Sequence, residues 1–456
     1  MSKRLFWLPI AIFTGCFNPD YSGDGGFRCR QDAASCPNGY VCNAQQQCVS
    51  TSGETTTDAG MADLPPVTPD IKGPGTDLPQ PDGPTQPQAC VLLAKPELVD
   101  TDVDPQATFG FDADESSNND ELVLAYIGKS NRVNLAARTG PGSTWAVYPI
   151  TNPGGGTDGS QMGAGAVGVS QFNGNWVVVY YTQSNEIYAA NSTGRNLLAN
   201  NTAPTTGLDM ALRANQDNVA LAVWPAGSNI QIVGIDRFTR SPDEVLDIAV
   251  GTGTASAHIA VDTDRAAKET HIGYLDTNNK LFYTRWTVGE DKWLYSDQSI
   301  ASAVDITAGR TGIDVLAQQE RYFVYPGADT GGGPAVKIST SGTSDEESII
   351  AGGSAINPGG PPRIAGIGTI QGVTVINHED GNVWLTARKT PATSWAEPVK
   401  ISKASLNVDV IHQVNIVATK GGQSGEAIFH LAIIGEVNNS KTTSLYNQPV
   451  NCSFNN

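Results

Sequence analysis

Cysteine is the residue type whose placement in this chain most directly predicts chemistry. The seven cysteines are Cys16, Cys29, Cys36, Cys42, Cys48, Cys90 and Cys452. Outside the cytoplasm cysteines usually pair in disulfides, so an odd number of them leaves one cysteine with another role. The first cysteine lies apart from the others and directly follows a short apolar run. We therefore expect its chemistry to differ from that of the other six.

The first 15 residues have the layout of a secretory signal peptide. A positively charged start precedes an apolar stretch at residues 5–13, which is too short to span a bilayer, and Thr14 and Gly15 are small residues at the expected cleavage point. This small pair followed by Cys16 resembles the lipobox of bacterial lipoproteins. The resemblance implies cleavage before Cys16 and acylation of Cys16. In such lipoproteins an Asp after the cysteine resembles an inner-membrane retention signal, so Phe17 at this position favours the outer membrane. The alternative is an ordinary signal peptide, with Cys16 paired to another cysteine.

Four of the remaining cysteines lie within residues 29–48, separated by six, five and five residues. Zinc sites usually contain closer pairs, about two to four residues apart, so this spacing favours disulfides. The segment "CPNGYVC" is similar to small EGF-like or dickkopf-like cysteine-rich modules. Four cysteines permit three connectivities. Our hypothesis is that Cys29 pairs with Cys42 and Cys36 with Cys48.

The last two cysteines, Cys90 and Cys452, bracket the large C-terminal region. If they pair, the two ends of that region lie together in space. Between the cysteine-rich segment and Cys90, residues 49–89 contain eight prolines and no aromatic residue. Such a segment cannot bury enough apolar surface to fold, so we expect a disordered, extended linker. The predicted organisation is a signal peptide at 1–15, a lipidated cysteine-rich module at 16–48, a linker at 49–89 and a large domain at 90–456.

Catalytic groups are harder to identify. Glycosidases need two carboxylates at a defined separation, and the candidates Glu186, Glu379 and Asp380 have no evident partner. The five histidines lack the short spacing of metal motifs. They are His258, His271, His378, His412 and His430. A glycine-rich stretch at residues 152–168 lacks the Lys-Ser/Thr of a phosphate loop. The sequence thus assigns no catalytic residue, metal ligand or cofactor.

The charge balance excludes one class of partner. Lys and Arg number 28 and Asp and Glu number 46, which gives a net charge of −18. A nucleic-acid-binding protein needs a positive face to displace counterions from phosphates, so this chain is not expected to bind nucleic acid. The same charge disfavours adsorption to anionic lipid headgroups through a basic patch.

The elements that position these residues follow a repeat. From about residue 106, a short apolar strand that ends in an aromatic residue is followed by a polar turn and a second strand; the pattern occurs seven times, with Asn and Ile in place of the aromatic in the last two copies. The residues that end the first strand of each copy are Tyr126, Tyr181, Trp224, Tyr274, Tyr325, Asn377 and Ile434. Their intervals of 43 to 57 residues are typical of propeller blades and longer than solenoid repeats.

Three copies share two further residues, an arginine near the end of the second strand and a tryptophan seven or eight residues later. They are Arg138, Arg285 and Arg388, with Trp145, Trp293 and Trp395. The pattern predicts strand, hairpin, strand, loop and a further strand that opens on tryptophan. Regular placement favours core packing for the tryptophans, over stacking on sugars, and a place beside a turn for the arginines.

The fold class that follows is all-β, a seven-bladed β-propeller, with six or eight blades as alternatives. Helical periodicity is nearly absent. A bond between Cys90 and Cys452 would lie where the first and last blades meet, and the segment "VLLAKPELV" could supply a closing strand. The domain resembles the propellers of sialidase-like and lectin-like families. The Asp-box of sialidases is not matched, so that family's catalytic residues cannot be carried over.

The leading hypothesis is a monomeric, lipid-anchored outer-membrane protein that faces the periplasm or the exterior. Its propeller would present loops to a glycan or protein ligand without catalysis. One alternative is a sialidase-like or other glycan-acting hydrolase with an unrecognised site, which two carboxylates facing each other across the axial pocket would favour. A further alternative is a structural component of an envelope assembly.

Overall fold

The computed structural model divides the chain into two compact units, Met1–Gln80 and Pro81–Asn456. The residues that it describes are 40–42, 48–50, 90–114, 121–140, 142–150, 163–213, 216–227, 229–242, 246–249, 255–287, 293–301, 304, 312–318, 320–340, 346–351, 353–390 and 394–454. The predictions for Cys16, Cys29 and Cys36, and the predicted linker apart from its first two residues, lie outside them.

In the first unit, β1 (Tyr40–Cys42) pairs antiparallel with β2 (Cys48–Ser50). This pairing places the backbone of Cys42 opposite that of Cys48. The hypothesised disulfides of this segment stay predictions.

The second unit opens with two short strands, β3 (Cys90–Leu92) and β4 (Glu97–Asp100), and continues as seven antiparallel sheets. Blades 1 to 3 consist of β5 (Gly110–Ala113), β6 (Leu122–Ile127), β7 (Val133–Arg138) and β8 (Ala146–Pro149); β9 (Gly163–Phe172), β10 (Asn175–Thr182), β11 (Ile187–Asn191) and β12 (Gly194–Ala199); and β13 (Asp209–Arg213), β14 (Gln216–Ala226), β15 (Asn229–Asp236) and β16 (Leu246–Ala249).

Blades 4 to 6 follow the same order, with a small hairpin, β25–β26, after blade 5. Their elements are β17 (Ala255–Asp264), β18 (Glu269–Asp276), β19 (Leu281–Thr287) and β20 (Trp293–Ala301); β21 (Asp314–Gln318), β22 (Glu320–Ala328), β23 (Pro334–Thr340) and β24 (Glu346–Ser348); β25 (Ile350–Ala351) and β26 (Ser354–Ala355); and β27 (Arg363–Ile367), β28 (Ile370–Ile376), β29 (Val383–Lys389) and β30 (Val399–Ile401). The helix α1 (Lys403–Leu406) leads into blade 7, which contains β31 (Val410–Lys420), β32 (Glu426–Val437) and β33 (Thr442–Ser453).

Blade 7 is completed by the start of the domain. Both β3 and β4 pair with the outer edge of β33. Cys90 lies opposite Cys452 in this pairing, and their sulfur atoms are bonded at 2.01 Å. The predictions of a seven-bladed propeller, a closing strand before residue 100 and a disulfide at the closure are confirmed.

The repeat in the sequence corresponds to the hairpin between the second and third strands of each blade. The second strand is covered on both faces by neighbouring blades, which explains its lack of polar alternation. Its large residues in blades 1 to 5 are at most 2% exposed; they are Tyr126, Tyr181, Trp224, Tyr274 and Tyr325. Among the described residues the apolar core forms seven clusters, one between each pair of adjacent blades.

The fourth strand differs from the prediction in one blade. Trp293 opens β20 and Trp145 directly precedes β8, as expected, but Trp395 lies in the loop before β30. In this loop the N–H of Ala396 donates to the carbonyl of Ala387 at 2.8 Å, so the chain is fixed before the strand begins. No helix in the described part of the chain has the length and apolar content to cross a bilayer.

Candidate functional site

Two cavities of ligand size are present in the described part of the propeller. One, of about 490 Å³, follows the axis and is lined by the innermost strands. The other, of about 420 Å³, lies between blades 1 and 2. Both volumes fall within the range of about 300–1,000 Å³ that is typical of small-molecule sites.

The wall of the axial channel carries an aspartate from the innermost strand of four blades: Asp112, Asp209, Asp262 and Asp314. In each, one carboxylate oxygen accepts the N–H of the following residue, at 2.8 to 3.0 Å. The other oxygen accepts a backbone N–H from the innermost strand of the next blade, at 2.6 to 2.9 Å. Asn415 connects blade 7 to blade 1 by a bond of opposite direction, in which its Nδ2 donates to the carbonyl of Phe109 at 3.3 Å. These side chains tie adjacent blades together around the axis.

Two of the channel carboxyls have raised pKa values. Burial, and after it the charge of Asp314, raises the pKa of Asp209 to about 7. Burial also raises the pKa of Asp314. The guanidinium of Arg363 and the backbone N–H donors oppose both shifts. Both shifts favour the protonated form of these buried carboxyls.

The pocket between blades 1 and 2 is built around the β9–β10 hairpin. The turn residues Asn173 and Gly174 have φ angles of 51° and 70°, which suit an Asn-Gly pair in a type I′ turn. This tight turn places Gln171 directly opposite Trp176, so both side chains lie on one face and line the pocket. The N–H of Gly174 donates to the buried carboxylate of Asp114 at 2.7 Å, which fixes the hairpin against blade 1.

Gln171 and Glu121 form the polar wall of this pocket. Gln171 is only 5% exposed, and its Nε2 donates to Oε2 of Glu121 at 3.4 Å. Its Oε1 has no hydrogen-bond partner in the described structure. An unsatisfied buried acceptor costs about 1–3 kcal/mol, so a donor that reaches this oxygen would remove that cost. Burial, and then the charge of Asp114, raises the pKa of Glu121.

Aromatic rings complete the pocket. Trp176 is partly buried against the cluster between blades 1 and 2, and Tyr148 on β8 is 53% exposed. Asn191 and Ser192 line the blade 2 side. Aromatic faces pack against apolar C–H groups, while carboxylates and amides bond to hydroxyls. The arrangement suits a ring that is apolar on its face and hydroxylated at its edge.

The repeated arginine and tryptophan of blade 1 meet a glutamate of blade 7. Arg138, which is 4% exposed, donates from Nη1 to Glu97 of β4 at 3.0 Å. The indole N–H of Trp145 donates to the same carboxylate at 3.1 Å, and the guanidinium lies 5.6 Å from the indole centroid. We call these three residues a junction triad.

A second junction triad lies between blades 5 and 6. Arg388 and the indole of Trp395 donate to Glu347 at 2.8 and 2.9 Å. Arg285 differs, since it bonds Glu269 of its own blade at 3.0 Å. The tryptophans in both triads pack between blades, as predicted. The two triad arginines lie at or next to the ends of their strands, and their guanidinium groups reach a carboxylate of the preceding blade.

The carboxylates that the sequence offered for catalysis lie elsewhere. Glu186, Glu379 and Asp380 are at hairpin turns of blades 2 and 6, and none lines either cavity. Asp380 pairs with Lys400 at 2.7 Å. Burial opposes the effect, but bonds from Lys400 and neighbouring groups lower the pKa of Asp380 to about 2. These residues have structural or solvated roles.

The histidines are also dispersed. Within the described ranges no group of His, Cys, Asp and Glu could hold a metal ion. Burial lowers the pKa of His271 and of His430 to about 3, and it lowers the pKa of His258 as well. His412 pairs with Glu436 at 2.8 Å, and His378 is exposed in a turn.

Sequence reasoning missed the residues of both cavities. The Asn-Gly turn at residues 173–174 is a local signal for the pocket, since it fixes the register of Gln171 and Trp176. The signal for the channel is an Asp that directly follows an apolar residue shortly before the second strand of blades 1, 3, 4 and 5, as in "FDA", "LDM", "VDT" and "IDV". Neither signal reveals a cavity until the blades are assembled.

Comparison with known proteins gives neither a family nor a function. No family model matches the chain, and no curated protein matches it. Among solved structures, it is similar to the polysaccharide lyase Uly1, at 8% identity over 80% of this chain and 99% of that one, with a TM-score of 0.46. A variant of AofleA from Arthrobotrys oligospora is 11% identical over 77% of this chain and 84% of that one, with a TM-score of 0.43. The six-bladed lectin of Aleuria aurantia, described as having a fucose recognition mode, is 9% identical over 66% of this chain and 98% of that one, with a TM-score of 0.41. At these values the similarity carries no argument about a ligand.

Proposed function

We propose that this protein is a non-catalytic glycan-binding protein, with its site in the pocket between blades 1 and 2. The observation that carries the proposal is the unpartnered, buried Oε1 of Gln171 beside the ring of Trp176 in one cavity. A sugar supplies a hydroxyl donor for the first and a C–H face for the second. The exposed ring of Tyr148 lies at the same cavity and extends the stacking surface.

The test is a glycan-binding screen of the purified protein in detergent, followed by titration of the best binder with Trp176→Ala. We expect affinity to fall about tenfold or more, because buried tryptophans dominate contact energy. Trp384→Ala in blade 6, also partly buried, is the matched control and should bind normally. Unchanged binding by Trp176→Ala would remove the site from this pocket.

We further propose that the protein is held in the bacterial outer membrane by acyl chains on Cys16, as a monomer facing the periplasm or the exterior. The signal-peptide layout, the small pair before Cys16 and the odd cysteine count support this. Residues 49–89 would serve as a spacer. Metabolic lipid labelling tests the proposal, since Cys16→Ser should abolish the label and release the protein from membranes.

A glycan-acting hydrolase is the second candidate function. It is favoured by Asp209 and Asp314 in the axial channel, because burial and then the charge of Asp314 raise the pKa of Asp209 to about 7. However, both carboxylates make the same bonds to the next blade as Asp112 and Asp262, which points to a shared structural role. Release of reducing ends from a bound glycan, lost in Asp209→Asn, would favour the hydrolase.

A further inference from the structure

The charge of the pocket between blades 1 and 2 distinguishes among classes of sugar. Glu121 lines it, and no ion pair with an Arg, Lys or His is seen for its carboxylate within the described residues. The one guanidinium among the lining residues belongs to Arg138 and is bonded to Glu97 in the first junction triad. The pocket therefore presents a carboxylate that is not paired with any cation among the residues that the structure describes.

The buried groups behind the pocket do not change this balance. Asp112 and Asp114 lie behind the hairpin, and their charges act on the buried guanidinium of Arg237, which is 2% exposed. Arg237 itself donates to the carbonyl of Asp217 and the hydroxyl of Ser170. Its charge is thus matched by carboxylates deeper in the blades.

Beside the donor groups of Arg138, Thr139, Asn191 and Ser192, the pocket presents acceptors and ring faces. The unpartnered Oε1 of Gln171 can only accept a bond, and Glu121 as a carboxylate can only accept. Trp176 and Tyr148 present ring faces, which attract a cation through their quadrupoles. A ligand with a cationic donor satisfies all three kinds of group, whereas a ligand carboxylate meets like charge.

We propose that the pocket selects a sugar with a free, protonated amine, such as a glucosamine or galactosamine residue, over its N-acetylated and acidic counterparts. This inference rests on the proposed glycan-binding function and specifies its ligand class. The ammonium group bonds the carboxylate of Glu121 and the Oε1 of Gln171, and the face of the sugar ring stacks on Trp176.

The experiment titrates the full-length protein in detergent with four sets of probes, by calorimetry. The probes are short oligomers of glucosamine, of galactosamine, of their N-acetylated forms and of galacturonic acid. We expect an amine-bearing oligomer to bind about tenfold more tightly than its N-acetylated form, as a charge-assisted bond is replaced by a neutral one. The galacturonate oligomer should show no binding.

Glu121→Gln separates charge from shape at this site. In this variant the amine-bearing and N-acetylated oligomers should bind within about twofold of each other. Glu379→Gln is the charge-matched control, because Glu379 lies in an exposed turn of blade 6, and it should keep the wild-type preference. Near-ultraviolet circular dichroism of each variant verifies its fold.

The outcomes distinguish this inference from the function on which it rests. If N-acetylated or acidic oligomers bind as tightly as the amine-bearing ones, the amine preference is overturned and glycan binding stands. If Glu121→Gln folds and keeps the full preference, the assignment to Glu121 is overturned. If no sugar binds in these titrations or in the glycan screen, both the inference and the proposed function fail.

Discussion

At the scale of single residues, a buried polar atom without a partner has a different meaning in a cavity and in a core. The Oε1 of Gln448 and the Oδ1 of Asn447 also have no partner in the described structure, yet neither residue lines a described cavity. Gln171 differs because it lines a cavity beside an aromatic ring, where a ligand can remove the cost.

His430 gives the first prediction, which concerns pH. Its ring is 2% exposed, its Nε2 lies 3.2 Å from the hydroxyl of Thr419, and burial lowers its pKa from 6.5 to about 3. The unfolded chain therefore binds a proton below pH 6.5 that the folded protein binds only near pH 3. The contribution of the neutral ring to the free energy of unfolding is fully present above pH 6.5 and is lost as the pH falls towards 3.

His430→Gln should remove this part of the acid sensitivity while retaining a group that can bond Thr419. Urea unfolding at pH 7 and pH 5 measures it, and the loss of unfolding free energy between the two should be about 1–2 kcal/mol smaller in the variant. His378→Gln, at an exposed turn, should match wild type. An equal loss in wild type and His430→Gln would show that His430 does not carry the effect.

At the scale of elements, we expect a carboxylate that lies between blades to contribute more to stability than one at the surface. Glu97 accepts bonds from Arg138, Trp145 and the amide of Asn447 at 3.0 to 3.1 Å. Arg138 is 4% exposed, so removing its counter-charge leaves a buried cation uncompensated. By contrast, Asp217 is 55% exposed and pairs with Arg265 at 2.7 Å near solvent.

We expect Glu97→Gln to lower the unfolding free energy by about 1–3 kcal/mol, below the cost of breaking a fully buried pair because Glu97 is 32% exposed. Asp217→Asn removes an exposed pair and should change it by less than about 1 kcal/mol. Denaturant unfolding of the two variants gives the comparison. Similar losses in both would mean that the junction triad adds no more than a surface ion pair.

The elements also show why the sequence predicted some parts of the fold and missed others. The hairpin between second and third strands is local, so its apolar run, turn residues and recurrence could be read directly at Tyr126 or Tyr274. The junction triad joins residues 41 to 48 positions apart, such as Glu97 and Trp145. Its arginine and tryptophan were noticed because they recur close together in the sequence. The glutamate recurs too, 41 positions before the arginine and 48 before the tryptophan in both triads, but it belongs to the preceding blade and only the assembled blades show that it is their partner. The pocket depends on the spacing between two blades, which no local pattern encodes.

At the scale of the whole molecule, the propeller has no single core. The described apolar residues cluster at seven junctions, and each cluster needs both of its blades. A ring of this kind is stable only if its last junction closes, because an open ring would expose the faces of blades 7 and 1. That closure is made by β3 and β4 on the edge of β33, and so by chain segments about 350 residues apart.

The disulfide between Cys90 and Cys452 fastens this closure and supports the last prediction. It joins residues 362 positions apart, and in the chain-entropy model a loop of that length stabilises the folded state by up to about 5–6 kcal/mol. Replacing both cysteines by serine should therefore lower the melting temperature clearly and release the short strand β3, whose Val91 and Leu92 are already about half exposed. Calorimetry with and without reductant measures the effect.

Reductant is the control for this prediction. It should lower the melting temperature of the wild type in the same way, once the bond becomes accessible on heating, and should have no effect at this bond in the double variant. If the double variant melts at the same temperature as wild type, the strand pairing alone closes the ring and the disulfide adds nothing to its stability.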